Sequence, residues 1–163
     1  MADKYIQLEK DDIFRIGIKD CDGKDTGDIL EFDLSDIELP LRYQEMVEKD
    51  KKNRIEMQNK LQILSKKEDV KSDKMFTKNE EEVLHLVKDF FDKEKEVYNM
   101  FLGENGVEKL LQGRKLGWTT LNEIDNIIDK YIIPNLDINF EKVTDKIKKV
   151  YGYNQSEDDG VLR

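Results

Sequence analysis

The chain has 163 residues, of which 40% are charged and 37% are hydrophobic, and its formal net charge is -9. A chain of this length and composition builds one domain with a modest core and long solvated faces. The negative charge argues against nonspecific binding to nucleic-acid phosphates, which requires clustered lysine and arginine. An acidic mimic of DNA stays a minor alternative, because acidic composition alone is a weak signal.

Cysteine content and hydropathy indicate the cellular compartment in which the protein works. Cys21 is the only cysteine, so the chain cannot form an internal disulfide, which suits a reducing compartment. The amino-terminal residues lack an apolar stretch of signal-peptide length. No apolar run approaches the roughly 20 residues of a membrane-spanning helix. We therefore expect a cytosolic protein that has no membrane partner.

Residues 1–36 predict a β-hairpin region. Two runs alternate apolar with polar residues, which is the period of a half-buried strand. The apolar members are Phe14, Ile16 and Ile18 in the first run and Leu30, Phe32 and Leu34 in the second. The segment between them is rich in Asp and Gly, which is typical of a hairpin loop. Residues 5–8 predict a short third strand, and the hairpin needs helices to pack on because two strands alone are marginally stable.

Residues 37–152 predict a helical region of the same domain, and residues 153–163 predict a disordered tail. Helical periodicity covers residues 40–64, 78–102 and 120–133, with a short turn at 107–111 and a last helix that starts at Asp137 or Asn139 and ends at Gly152. The polar residues 65–74 predict a solvated linker. The predicted fold class is α+β and mainly α, with an N-terminal β-hairpin packed on a bundle of about four helices plus one short helix.

Two helix starts carry the spacing of a capping box, in which a Thr side chain and a Glu three residues later satisfy free backbone amides. The first pair is Thr77 and Glu80, and the second is Thr120 and Glu123. The apolar stripe that follows Thr77 is the clearest in the chain.

Glu94 falls within that stripe, and a buried carboxylate needs a partner. One interpretation pairs it with a cation at the edge of the core, and Arg114 is a candidate. A second interpretation makes Glu94 a charge that faces a binding partner inside an apolar groove.

The helix 40–64 has an interrupted apolar stripe. Met46, Met57 and Leu61 lie on one side, but Asp50 and Arg54 fall in the same sector and divide it. The helix either packs half of its surface on the hairpin or offers an adaptable surface to another helix, since Met side chains repack at low cost.

The titratable residues do not form a recognisable catalytic or metal site. Asp20, Asp22 and Glu31 match three ligand positions of a calcium loop, but Lys24 and Asp25 occupy positions that need an oxygen ligand and a glycine. The only histidine, His85, has no metal-ligating neighbour in the pattern and points to solvent. We expect no metal, no cofactor and no enzymatic activity.

The segment 97–118 breaks the helical pattern twice, first at Gly103, Glu104 and Gly106 and then at Gly113. The glycines do not match a nucleotide-binding loop, because no strand precedes them and no Gly-Lys-Ser/Thr follows. We interpret the segment as a sharp corner between two helices. Trp118, the only tryptophan, is either a core anchor at this corner or an exposed hot spot for binding.

These residues resemble a known family. An aromatic residue, a short Gly-Glu-Gly or Gly-Glu-Asn-Gly turn, an apolar residue and a Gly-Arg pair are similar to a motif in the small tail assembly chaperones of long-tailed bacteriophages and prophages. The matching residues are Phe101, Gly103, Glu104, Gly106, Leu110, Gly113 and Arg114. The resemblance covers residues 97–136. The Asn in the turn and the long charged helix 40–64 depart from the simplest form of the pattern.

The resemblance implies a nonenzymatic protein that binds the phage tape-measure protein and helps to recruit tail-tube subunits. It implies a location in the host bacterial cytoplasm and absence from the mature virion. As candidate partner-binding residues we take Met46, Met57, Leu61, Glu94, Phe101 and Trp118. A tail-completion or head–tail connector protein, or an inhibitor of bacterial defence, stays an alternative, and a homo-oligomer stays open.

Overall fold

The computed structural model describes residues 1–8, 11–71 and 73–136. Their fold is α+β and mainly α, because a two-stranded antiparallel sheet is followed by helices. This confirms the predicted fold class. The predicted last helix, from Asp137 or Asn139 to Gly152, and the predicted tail, 153–163, lie outside the described residues.

Strands β1 (Ile13–Lys19) and β2 (Asp25–Asp33) form the hairpin. Phe14 pairs with Phe32 and Ile16 pairs with Leu30, so the alternating apolar residues share one face. Leu30 and Phe32 are buried. The predicted third strand is wrong, since residues 5–8 have no regular structure and their apolar side chains are exposed. So short a run gains few ladder hydrogen bonds, and these side chains cover no core.

Helices α1 (Leu39–Ser65) and α2 (Lys78–Leu102) pack as an antiparallel pair. The direction follows from their contacts, since Lys49 approaches Met100 and Glu56 approaches Lys93. The capping box at Thr77 and Glu80 is confirmed, because each side chain accepts a hydrogen bond from the other residue's backbone amide.

Helix α3 (Gly106–Leu111) is short, and α4 (Trp118–Ile127) continues through a π-helical turn (Ile128–Ile132) and helical residues 133–136. The predicted capping box at Thr120 and Glu123 is wrong. The helix begins earlier, and the Gly117 amide donates to the Thr120 hydroxyl at 2.7 Å. Glu123 instead accepts a hydrogen bond from Arg114 at 2.7 Å.

The core is centred on Phe101 of α2. Its ring lies 5.3 Å from that of Phe32 and 5.2 Å from that of Tyr43, so it joins the hairpin to α1. Polar contacts attach β2 to α3, because Lys109 donates to the Ile29 carbonyl at 3.3 Å and Gln112 donates to Asp28 at 3.1 Å. The β-hairpin therefore docks on residues about 80 positions away in the chain.

Helix α4 accompanies only part of α2. Trp118, at its start, lies beside Phe90, and Asp125 lies beside Tyr98, so α4 runs toward the carboxyl end of α2. The first turns of α2 pack on the last turns of α1 instead. We call residues 57–86 the distal segment: the end of α1, the connection 66–77 and the start of α2.

Candidate partner-binding surface

The structure separates the six candidate partner-binding residues by exposure. Met46, Met57, Glu94 and Phe101 are buried inside the chain. Leu61 is half-buried and lines a cleft of the distal segment. Trp118 is 47% exposed. Leu61 and Trp118 are thus the members that a partner can reach in this conformation.

The Gly-Glu-Asn-Gly turn forms a tight corner between α2 and α3. Gly103 ends α2 with φ 96 and ψ 177, a region that glycine alone adopts readily. A Cβ on Gly106 would lie 2.5 Å from the Leu102 Cβ, so only glycine fits there. Glu104 is exposed at the tip. The corner therefore has a structural basis in its two glycines.

Asn99 closes this corner from inside α2, and the sequence interpretation missed it. Its side-chain oxygen accepts a hydrogen bond from the Val107 amide at 2.8 Å, and its amide group donates to Glu108 at 3.1 Å. These bonds satisfy a free amide at the start of α3. The available signal was an Asn one turn before a helix-ending glycine.

The second break contains Gly113, which has φ 83, and Arg114, which pairs with Glu123 on the surface. After it, Trp118 stacks on Phe90 at 5.4 Å and meets the edge of Phe91 at 4.8 Å between ring centroids. Trp118 thus anchors the start of α4 while about half of its surface stays accessible.

Glu94 belongs to a buried polar cluster that joins three helices, which we call the carboxyl cluster. Its Oε1 accepts a hydrogen bond from Asn53 of α1 at 3.0 Å. Within the described part of the chain, Oε2 has no hydrogen-bond partner. Arg114 is not the cation near Glu94, because it pairs with Glu123, and the nearby cation is Arg54. The interpretation of Glu94 as a charge that faces a partner is wrong, because its side chain is fully buried.

Among the residues that the structure describes, the rest of the carboxyl cluster surrounds one cation, Arg54. Arg54 donates to Asp50 at 2.9 Å and lies 3.7 Å from Asp125 of α4. Tyr98 donates its hydroxyl proton to Asp125. Asp50 and Arg54, which interrupt the stripe of α1, thus lie close enough to Glu94 of α2 to act on it electrostatically. Two interruptions in facing stripes were the signal that could have found this pairing.

The cluster changes the proton affinity of its members. Burial, and then the neighbouring Asp50, raise the pKa of Glu94 to about 8. Burial likewise raises the pKa of Asp125, although the hydrogen bond from Tyr98 opposes this. At neutral pH Glu94 therefore carries a proton, which removes one negative charge from the interior.

One side of the α1–α2 pair carries an apolar groove, which we call the seam furrow. It consists of two adjoining clefts of about 280 and 370 Å³ that share Lys60, Leu86 and Asp89. Its apolar lining comes from Met57, Ile63, Leu64, Leu86 and Phe90. Charged side chains from both helices form its edges, so it is an apolar slot between charged rims.

The other side of the distal segment has a cleft of about 500 Å³, which we call the distal cleft. Its apolar lining comes from Leu61, Leu64, Phe76, Val83 and Leu84. Lys67, Asp69 and Glu80 supply charges around it. Leu84 and Leu86 are about 200° apart around α2, so the two grooves open on opposite sides of the helix pair.

The Asp-rich loop is held by its own backbone. The Asp20 carboxylate accepts hydrogen bonds from the amides of Asp22 and Lys24, each at 2.9 Å. Among residues 1–8, 11–71 and 73–136, no group of three or more His, Cys, Asp or Glu side chains is arranged to hold a metal ion. His85 and Cys21 are exposed.

None of the helices in the described ranges is long and apolar enough to span a bilayer. Comparison of the chain with protein-family models, with curated proteins and with solved structures finds no match.

Proposed function

We propose that this protein is a tail assembly chaperone of a long-tailed bacteriophage or prophage, and that it binds an amphipathic helix of the tape-measure protein in the seam furrow. The observation that carries the proposal is the furrow itself, an apolar groove between the antiparallel helices α1 and α2. The resemblance of the motif from Phe101 to Arg114 supports the choice of family. The furrow supports the choice of site, because its shape suits a helix.

A groove between two helices accepts the apolar face of a third helix, whose anchors recur every three or four residues. The furrow extends from Asn53 to Leu64 on α1, which is about 16 Å or three helical turns. Three turns present three or four apolar side chains to Ile63, Leu64 and Leu86, which are exposed or half-buried along the furrow. A tape-measure protein, as a long helix with apolar stripes, offers many such segments.

The charged exterior also suits a chaperone. A protein that covers apolar stripes on a long partner has to keep the complex soluble, and a net charge of -9 opposes aggregation. In this proposal the chaperone works in the host bacterial cytoplasm, helps to recruit tail-tube subunits to the tape-measure protein, and is absent from the finished virion.

The test is co-expression with a tape-measure fragment, followed by affinity purification of the fragment. The chain should copurify with the fragment and keep it soluble. Ile63→Asp places a charge at a furrow residue that is 60% exposed, and should abolish copurification. Ile37→Asp makes the same change at a residue that is 72% exposed before α1, and should leave copurification intact.

A fragment that stays soluble alone and never copurifies would contradict the proposal. Copurification that survives Ile63→Asp would place the partner elsewhere on the surface. Detection of the chain in purified virions would favour a structural tail protein over a chaperone.

A further inference from the structure

The distal cleft carries an inference that does not depend on the proposed function. Phe76 and Leu84 are 40% and 52% exposed, and both stand at a cleft whose floor contains Leu61 and Val83. The same patch therefore presents protruding apolar side chains and a hollow of similar chemistry. A two-fold interface requires this combination, because each surface has to accept the other copy of itself.

The cleft is preorganised by the connection between α1 and α2. Asp69 accepts hydrogen bonds from the Thr77 hydroxyl at 2.7 Å and from the Asn79 amide at 3.3 Å. The Asn79 side chain donates to the Lys67 carbonyl at 3.2 Å. These bonds hold Lys67 and Asp69 against the start of α2, so less order has to be gained when a partner binds.

Charge is distributed unevenly along the chain. Residues 51–92 contain ten Lys and Arg against nine Asp and Glu, so they carry a net +1, and the remaining residues carry -10. Charge repulsion opposes self-association through most of the surface, but not through this segment.

Within that segment the two helices carry net charges of opposite sign. Residues 51–67, from α1 and the two residues that follow it, contain six Lys and Arg and one acidic residue, whereas residues 78–92 of α2 contain two Lys and five acidic residues. In a pair of copies, contact between the two α1 helices or the two α2 helices brings like charges together. Contact between α1 of one copy and α2 of the other brings opposite charges together.

We propose that the distal cleft binds a second copy of this chain, with α1 of one copy against α2 of the other. Phe76 and Leu84 of each copy enter the cleft of its partner, and Lys67 of each copy faces Glu80 of the other. The seam furrow, on the opposite side of the helix pair, stays open in this dimer.

The first test is the solution mass of the full chain, measured by light scattering over a range of concentrations. The mass should rise from 19.3 kDa toward twice that value. Leu84→Asp should raise the dimer dissociation constant at least about tenfold, because it loses an apolar contact and desolvates a charge. Ile37→Asp, a matched change elsewhere, should leave that constant unchanged. A chain that stays at 19.3 kDa up to its solubility limit overturns the proposal.

The second test addresses the pairing of α1 with α2. Lys67→Glu and Glu80→Lys should each weaken the homodimer, because each places like charges opposite one another. An equal mixture of the two variants should form a heterodimer, because position 67 of each then faces an opposite charge at position 80 of the other. Homodimers that are as strong as the wild type would refute the α1–α2 pairing.

The two grooves can be distinguished by their variants. Leu84→Asp should leave capture of the tape-measure fragment intact, and Ile63→Asp should leave the dimer intact. A circular-dichroism melt of each variant shows whether the chain is folded. The two proposals are therefore tested independently, and the failure of one does not decide the other.

Discussion

At the scale of single residues, the buried proton of Glu94 makes the stability of the fold depend on pH. The folded protein keeps the Glu94 proton up to a pH of about 8, whereas the ordinary pKa of the group is 4.5. Between these values the folded state binds more protons than the unfolded state. The Glu94 contribution to the free energy of unfolding therefore falls as the pH rises, by about 1.4 kcal/mol per pH unit.

Glu94→Gln removes this titration and preserves an oxygen that can accept the Asn53 hydrogen bond. We expect the variant to lose less stability than the wild type between about pH 5 and about pH 8. Urea unfolding at several pH values within this window measures the difference. Glu96→Gln changes an exposed residue of the same helix and should leave the wild-type pH dependence in place. Equal slopes for Glu94→Gln and the wild type would refute the buried-proton account.

Gly106 lies where the corner between α2 and α3 leaves no room for a side chain. Gly106→Ala forces a Cβ against Leu102 at the α2–α3 corner, and the resulting strain should cost about 1–3 kcal/mol of stability. Gly117→Ala is the matched control, because a Cβ there has no neighbour within 4 Å. Urea unfolding of both variants makes the comparison, and similar losses would show that the corner can relax.

At the scale of elements, the start of α2 depends on its cap. Thr77→Ala removes the acceptor for the Glu80 amide and the hydroxyl that donates to Asp69. Loss of the cap should lower the free energy of unfolding by about 1 kcal/mol. Thr119→Ala, at an exposed position in the first turn of α4, should have a much smaller effect in the same unfolding measurement. An equal effect would mean that the Thr77 cap contributes little.

Local patterns predicted the elements well. The stripe from Val83 to Phe101 and the Thr77 capping box located α2, because both depend on residues three or four positions apart. The pairing of Asn53 with Glu94 spans 41 positions, and no local period reveals it. The start of α4 was misplaced because Glu123 matches a cap by spacing but finds Arg114, which is nine positions away.

The candidate surface was predicted less well for a similar reason. Met46 and Phe101 look identical in the sequence whether they face the core or a partner, and the fold buries both. The seam furrow and the distal cleft stay uncovered because α4 begins beside Phe90 and runs toward the end of α2, rather than beginning near the start of α2. The position of α4 therefore determines which part of α2 stays accessible.

At the scale of the whole molecule, the distal segment should be the least stable part of the helix pair. Its residues pack between α1 and α2, whereas residues 92–102 of α2 also meet the hairpin, α3 and α4. In the monomeric Leu84→Asp variant, amide hydrogens of 57–64 and 81–86 should exchange faster than those of 92–102. Mass spectrometry of exchanged peptides measures this, and uniform protection would contradict it.

The docking of β2 on α3 also constrains synthesis. Lys109 and Gln112, which attach to the hairpin, are translated about 80 residues after the hairpin. At about 5–20 residues per second, a ribosome needs about 4–16 s to reach them. During that interval the apolar face of Leu30 and Phe32 has no helix to cover it, and a two-stranded hairpin is marginal alone. The hairpin thus reaches its final position only after α3 has been translated, and the nascent chain is prone to aggregation until then.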